Sequence, residues 1–152
     1  MEAAKFLDQP ENREAARTIS QHVLAEVEPS ELEVSVGLID PLLDMAAQGE
    51  MATADSSDEA GGFGGSDLLV MVVVPLVVTV LGDLLVEVGK VGIKEIKEKL
   101  EQRKDAKDLI LVASSSNVDA VVRHAQSLRG AGRKKELTRA LATALLEYLE
   151  VE

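Results

Sequence analysis

Cysteine is absent from this 152-residue chain. That excludes disulfides, thiolate metal sites and a cysteine nucleophile. Tryptophan is absent too, and Phe6, Phe63 and Tyr148 are the whole aromatic complement, 2% of the residues. Base stacking needs a platform of aromatic rings, so that mode of nucleic-acid recognition is excluded, and the core has to be aliphatic. Basic residues are scarce in the first part of the chain. Residues 1–89 hold three Lys/Arg against 17 Asp/Glu, a net charge of −14, whereas residues 90–152 hold 13 against ten, a net charge of +3. The total of −11 repels phosphate backbones, and no nucleic-acid partner is expected. The first residues, MEAAKFLDQPENREAA, lack the basic stretch and apolar core of a secretion signal. A cytoplasmic protein is expected.

What the chain does have is one long apolar run, Leu68 to Gly82, fifteen residues without a charge. Three readings compete for it. It is the central buried helix of a bundle, or a membrane-inserted helix, or one or two buried strands broken at Pro75. A spanning helix needs about 20 mostly apolar residues. Extending the run that far takes in Asp83 and Glu87, and carboxylates are costly in a bilayer. The lysines and arginines from Lys90 to Lys107 follow directly, where positive-inside residues would lie if the run crossed a membrane. Glu95, Glu98 and Glu101 are interleaved with them, as on a solvated helix face. Leu69, Val73, Pro75, Leu76, Val80, Asp83 and Glu87 are the candidate membrane or partner-helix positions. Asp83 and Glu87, four apart, would form a proton or cation site only if the helix were in a membrane.

The remainder reads mostly as helix. Ala15, Ile19, Val23 and Val27 recur every four residues and give one apolar face, with Pro10 suited to the first turn. Glu28-Pro29-Ser30 is a break. In residues 30–48, Leu32, Val36, Ile39 and Leu43 have helical spacing, yet residues 31–36 alternate as a strand does. Ser30 and Glu33 have capping-box spacing, and Asp40-Pro41 predicts a division into two helical pieces. Residues 49–66 are rich in Gly, Ser, Asp and Ala and predict a flexible connector. A single helix over 67–103 would be about 55 Å long, so a kink near Pro75 or a break near Gly89–Gly92 is expected. Gly82, Gly89 and Gly92 either allow close helix approach or mark such breaks. Residues 104–108 read as a turn, and residues 109–113 as a short strand or a helical turn. Ser114 to Asn117 then reads as a helix start. Two final helices, one ending near Arg129 and one from Arg133 to about Leu149, make a hairpin. The expected fold is a single all-α domain over 1–152, a small bundle around the central apolar helix with a C-terminal helical hairpin. The alternative is an α+β fold with short strands near 31–36 and 109–113.

Chemical motifs are sparse. Gly61-Gly62-Phe63-Gly64-Gly65 is followed by Ser66-Asp67, without the lysine of a phosphate-binding loop or the preceding strand of a dinucleotide site. His22 and His124 lie in different predicted helices without ligand spacing. Ser114-Ser115-Ser116 lacks a nucleophile-elbow pattern. No catalytic, cofactor-binding or metal-binding residue is nominated.

Three stretches occur in order: Ala25 to Leu32 (AEVEPSEL), Gly62-Phe63-Gly64, and the apolar VVVPLVVTV with Pro75 in its middle. With the C-terminal hairpin, that order resembles small helical bacterial proteins encoded beside effectors in conflict, or defence, systems. This chain departs from them in two ways: its second segment lacks their aromatic residues, and its loop from Gly49 to Gly61 is different. The resemblance implies association with effectors and carries no catalytic residue across. The expected function is a non-enzymatic helical protein–protein interaction module, accessory to a bacterial defence or signalling effector, acting through a protein partner or self-association and without a cofactor. The alternative is a membrane-inserted or membrane-anchored protein using residues 68–88, associated with the inner membrane.

Overall fold

Two of the four prolines stand where helices begin, and two stand where helices ought to break. The structure, a computed structural model, describes residues 7–48, 69–88, 93–125 and 134–150. Its helices are α1 (Pro10–Val27), a 3-10 turn (Pro29–Glu31), α2 (Leu32–Ala47), α3 (Val70–Val88), α4 (Ile93–Glu101), α5 (Ala106–Ala125) and α6 (Lys134–Tyr148). Pro10 and Pro29 occupy the first turns of α1 and of the 3-10 turn, where a missing N–H costs nothing. Pro41 and Pro75 lie inside α2 and α3. Each removes the hydrogen bond to the carbonyl four residues back, at Gly37 and Met71. Packing along the rest of each helix outweighs that loss, so the division expected at Asp40-Pro41 does not occur.

The fold is an all-α bundle, and α3 is its centre. Leu69, Val70, Val72, Val73, Val74, Leu76, Val77, Val78, Val80, Leu81 and Leu84 are all buried. Valine is a poor helix former by up to about 0.7 kcal/mol relative to alanine, because its branched side chain is stiff. Burying an aliphatic side chain of this kind is worth about 1.5–3 kcal/mol, so tertiary packing decides the conformation. Helices α1, α2, α4 and α5 all pack on α3, and α6 closes the bundle by packing on both α1 and α5. One contiguous core draws on all six helices. The packed pair α5–α6 is the expected C-terminal hairpin.

Antiparallel α1 and α2 are clamped by charge at their outer edge. Arg13 Nη2 donates to Asp44 Oδ1 at 2.6 Å. Arg17 donates through Nε and Nη2 to Asp40 Oδ1 at 3.0 and 2.8 Å, and through Nη1 to Glu14 Oε2 at 2.6 Å. The Asp40 carboxylate, chiefly through its hydrogen bond, raises the Arg17 pKa further above its ordinary value. The expected capping box is not formed: Ser30 Oγ donates to Glu28 Oε1 instead, and the first turn of α2 has no side-chain cap. Glu31 Oε1 accepts from the Leu69 backbone N–H at 3.2 Å, which ties the start of α3 to the start of α2.

The α+β alternative is overturned. Residues 31–36 and 109–113 belong to the 3-10 turn and to α2 and α5. The buried positions of α2 are Ser35, Ile39, Leu42, Leu43 and Ala46, a helical series that skips both Val34 and Val36. In α5, Ile110, Ser114, Asn117 and Val118 are buried, so the serine run is the interior of a helix rather than its start. That helix begins at Ala106, and the expected turn contracts to residues near Lys104 and Asp105. Among the described residues the 67–103 stretch holds two helices, α3 and α4, and α3 runs through Pro75. The expected break at Gly89–Gly92, the connector 49–66, the Gly62–Gly64 stretch and the turn at 130–132 lie outside the described residues.

Candidate functional site

The α3 positions singled out from sequence divide sharply. Leu69, Val73, Leu76 and Val80 are fully buried, Pro75 is buried with them, and the helices they meet belong to the same chain. Thr79 and Asp83 lie on the narrow uncovered stripe of α3. Thr79 Oγ1 donates back to the Pro75 carbonyl at 2.8 Å, and Asn117 Nδ2 of α5 donates to Asp83 Oδ2 at 2.8 Å and to the Ala113 carbonyl at the same distance. Asp83 is therefore a polar link between α3 and α5. The Glu87 side chain lies outside the described residues. Among the described residues no helix is long and apolar enough to cross a membrane.

One shallow cleft opens between α1 and α6. Thr18, Ile19 and His22 line one side and Ala144, Glu147 and Tyr148 the other, around about 190 Å³. His22 Nε2 lies 3.4 Å from Glu147 Oε2, an ion pair when the imidazole is protonated. Burial pushes the half-buried Tyr148 phenol above its ordinary pKa, and the Glu14 carboxylate adds to the effect. The space is smaller than the roughly 300–1,000 Å³ of typical small-molecule sites. The Thr18 hydroxyl shares the cleft with this imidazole, carboxylate and phenol, but among the described residues no hydrogen bond joins it to His22, as an activated nucleophile would require. Sequence spacing gave no sign of this pairing, since His22 and Glu147 meet only through the packing of α1 on α6. Among the described residues, no group of three or more His, Cys, Asp or Glu could hold a metal ion. The His124 side chain is not among those described.

The more informative feature is at the surface. Among the described residues the exposed large aliphatic side chains are Val34 at 61%, Val36 at 41%, Leu111 at 40% and Val112 at 63%. They fall into two pairs, one on α2 and one on α5. The first pair follows a turn carrying Glu26, Glu28, Glu31 and Glu33, and no Lys or Arg occurs from Thr18 to Gly89. The second follows exposed Lys104 and Lys107, with exposed Asp108 in the same turn. Nearby, Arg103 donates to Asp105 through Nε and Nη2, both at 2.9 Å, so these two charges cancel; the Arg103 hydrogen bonds hold the Asp105 carboxyl below its usual range.

No protein-family model matches this chain, and neither a curated protein nor a solved structure does.

Proposed function

We propose that the protein is a non-enzymatic helical interaction module of the cytoplasm. One observation carries the reading: a chain that buries an extensive aliphatic core still leaves Val34, Val36, Leu111 and Val112 in solvent. Single exposed aliphatic residues are ordinary; Leu111 and Val112, neighbours on α5, are the pair we take as the docking contact, with Val34 and Val36 exposed on opposite flanks of α2. The α1–α6 cleft offers a competing use of the molecule, but among the described residues its Thr18 hydroxyl has no hydrogen bond to His22. The resemblance of the AEVEPSEL, Gly-Phe-Gly and VVVPLVVTV stretches to proteins of bacterial conflict systems supports a role beside a defence or signalling effector.

The test compares wild type with the Val34→Asp/Val112→Asp variant as bait, under conditions where both have the same circular dichroism. Proteins retained by wild type and lost from the variant are expected. An identical retained set would refute docking through these surfaces. Washing membranes of expressing cells with high salt and then alkaline carbonate tests the location. Recovery in the soluble fraction is expected, and retention through both washes would favour insertion of residues 68–88.

A further inference from the structure

We propose that the hydrogen bond from Asn117 to Asp83 selects the register of α5 on α3, against a neighbouring register one helical turn away. Little else on α3 distinguishes one turn from the next. Its buried positions from Val70 to Leu84 are valine or leucine, apart from Pro75. Neither α3 nor α5 contains Phe, Tyr or Trp. Helices pack by setting ridges of side chains into grooves. Where the ridges are built from side chains of nearly one size, a slide of one turn, about 5.4 Å, meets nearly the same groove again. Uniformly aliphatic packing gives a stable core that selects poorly among arrangements.

The polar pair breaks this uniformity. Asp83 is the one α3 side chain, among those described, that is hydrogen-bonded to another helix; the Thr79 hydroxyl bonds back to the Pro75 carbonyl of its own helix. Asn117 is buried. Its Nδ2 donates to Asp83 Oδ2 and to the Ala113 carbonyl, both at 2.8 Å, so each N–H bond of the amide has an acceptor. A hydrogen bond to a carboxylate is about twice as strong as one between neutral groups. A slide of one turn takes Asn117 off that carboxylate. In one direction it brings Ser114, three residues earlier on the same face, toward Asp83 instead. The Ser114 hydroxyl is buried and has no hydrogen-bond partner in the observed register. The two registers thus exchange a two-donor amide for a one-donor hydroxyl on the same carboxylate, and the amide favours the observed one. Fixing register is the best-attested role of a polar side chain in an aliphatic helix interface.

The other polar ties of this hairpin are weaker. His22 with Glu147 at 3.4 Å and Lys97 with Glu150 at 3.1 Å hold the end of α6, but they lie at the surface, where ion pairs contribute little. Leu111 and Val112 ride on α5, so its register sets where the docking contact stands on the bundle. That consequence rests on the interaction-module reading, whereas register selection does not.

The test uses amide magnetic resonance spectra and hydrogen exchange of the full chain. Asp83→Ala removes the acceptor at an exposed position, and Asp83→Asn keeps one. Wild type and Asp83→Asn are expected to give one set of α5 amide signals. Asp83→Ala, and Asn117→Leu from the other side of the bond, are each expected to give doubled or exchange-broadened α5 signals with unchanged helical circular dichroism. Losing a hydrogen bond to a charged group shifts a balance between two states by about ten-fold or more, enough to make a minor register visible. One sharp set of α5 signals with wild-type exchange protection in both Asp83→Ala and Asn117→Leu would overturn register selection. Doubling in Asp83→Asn equal to that in Asp83→Ala would overturn it too, as would loss of helical circular dichroism in Asp83→Ala, since the pair would then hold the fold rather than choose between registers. The bait comparison tests the module reading separately, and its failure would leave these spectra unchanged.

Discussion

Replacing Gly82 by alanine should make the protein more stable. Gly82 lies inside α3, and a glycine in a helix interior is less favourable than alanine by about 0.8–1.0 kcal/mol. A small residue in a packed helix often marks a close approach, and then an added methyl group costs about 1–3 kcal/mol in overpacking. Here a Cβ built at Gly82 meets nothing within 4 Å, so only the helix-propensity gain remains. For a chain of this size, 1 kcal/mol moves the melting temperature by about 2–4 °C. Gly82→Ala should therefore melt about 2–4 °C higher, followed by the helical circular dichroism signal. Gly37 in α2 has the same open surroundings, and Gly37→Ala should give a similar gain. The two sites share no contact within that radius, so the double variant should gain about the sum. A lower melting temperature for Gly82→Ala would refute the argument. It would mean that another helix approaches this stripe of α3, in the folded chain or in an assembly.

The core and the surface make further predictions. Leu76→Ala removes a fully buried side chain from the middle of α3; a loss of about 2–5 kcal/mol in urea unfolding is expected, and a loss under 1 kcal/mol would show that the site collapses freely or is not central. Asp40→Asn weakens the clamp to Arg17, whose surroundings are exposed. It should cost only about 0.2–1 kcal/mol, and the cost should shrink in high salt. Tyr148 is the one tyrosine and there is no tryptophan, so tyrosinate absorbance reports it alone. Its folded pKa is raised by burial and then by Glu14, so its contribution to stability is complete below the unfolded value of about 10. That contribution is lost as pH rises through the folded value. The native titration should lie at higher pH than that of urea-unfolded protein; coincident curves would refute burial of the phenol.

Helical periodicity made much of the bundle readable before any coordinates. The face of α1 follows from it because one apolar stripe dominates that segment, whereas the α3 run is apolar almost all round, so periodicity alone left a bundle core, a membrane helix and buried strands in competition. The errors came where a segment carries more aliphatic residues than its helix can bury. The strand-like alternation of residues 31–36 depended on Val34 and Val36, and the compact LILVA run on Leu111 and Val112. These are the side chains that the fold leaves in solvent. Local pattern and tertiary structure disagree there, as they tend to at functional sites. The Asp40-Pro41 division failed for a different reason: proline is a strong local signal, but Ile39, Leu42, Leu43 and Ala46 bury their side chains on both sides of it. The meeting of His22 with Glu147 was not legible at all, since the residues stand at opposite ends of the chain.

Pro75 has a second consequence, before the bundle exists. The segment from Leu68 to Gly82 is uncharged and rich in valine, the composition that favours cross-β stacking when such a stretch meets other copies of itself. In the finished protein α1, α2, α4 and α5 cover it. During synthesis it emerges well before α5, one of the helices that must cover it, so it spends time uncovered. A proline cannot donate a ladder hydrogen bond and is excluded from the middle of such stacks. Its position halfway along the run divides this uncharged, valine-rich stretch in two. The hydrogen bond that α3 forgoes at the Met71 carbonyl is thus offset by protection of the nascent chain.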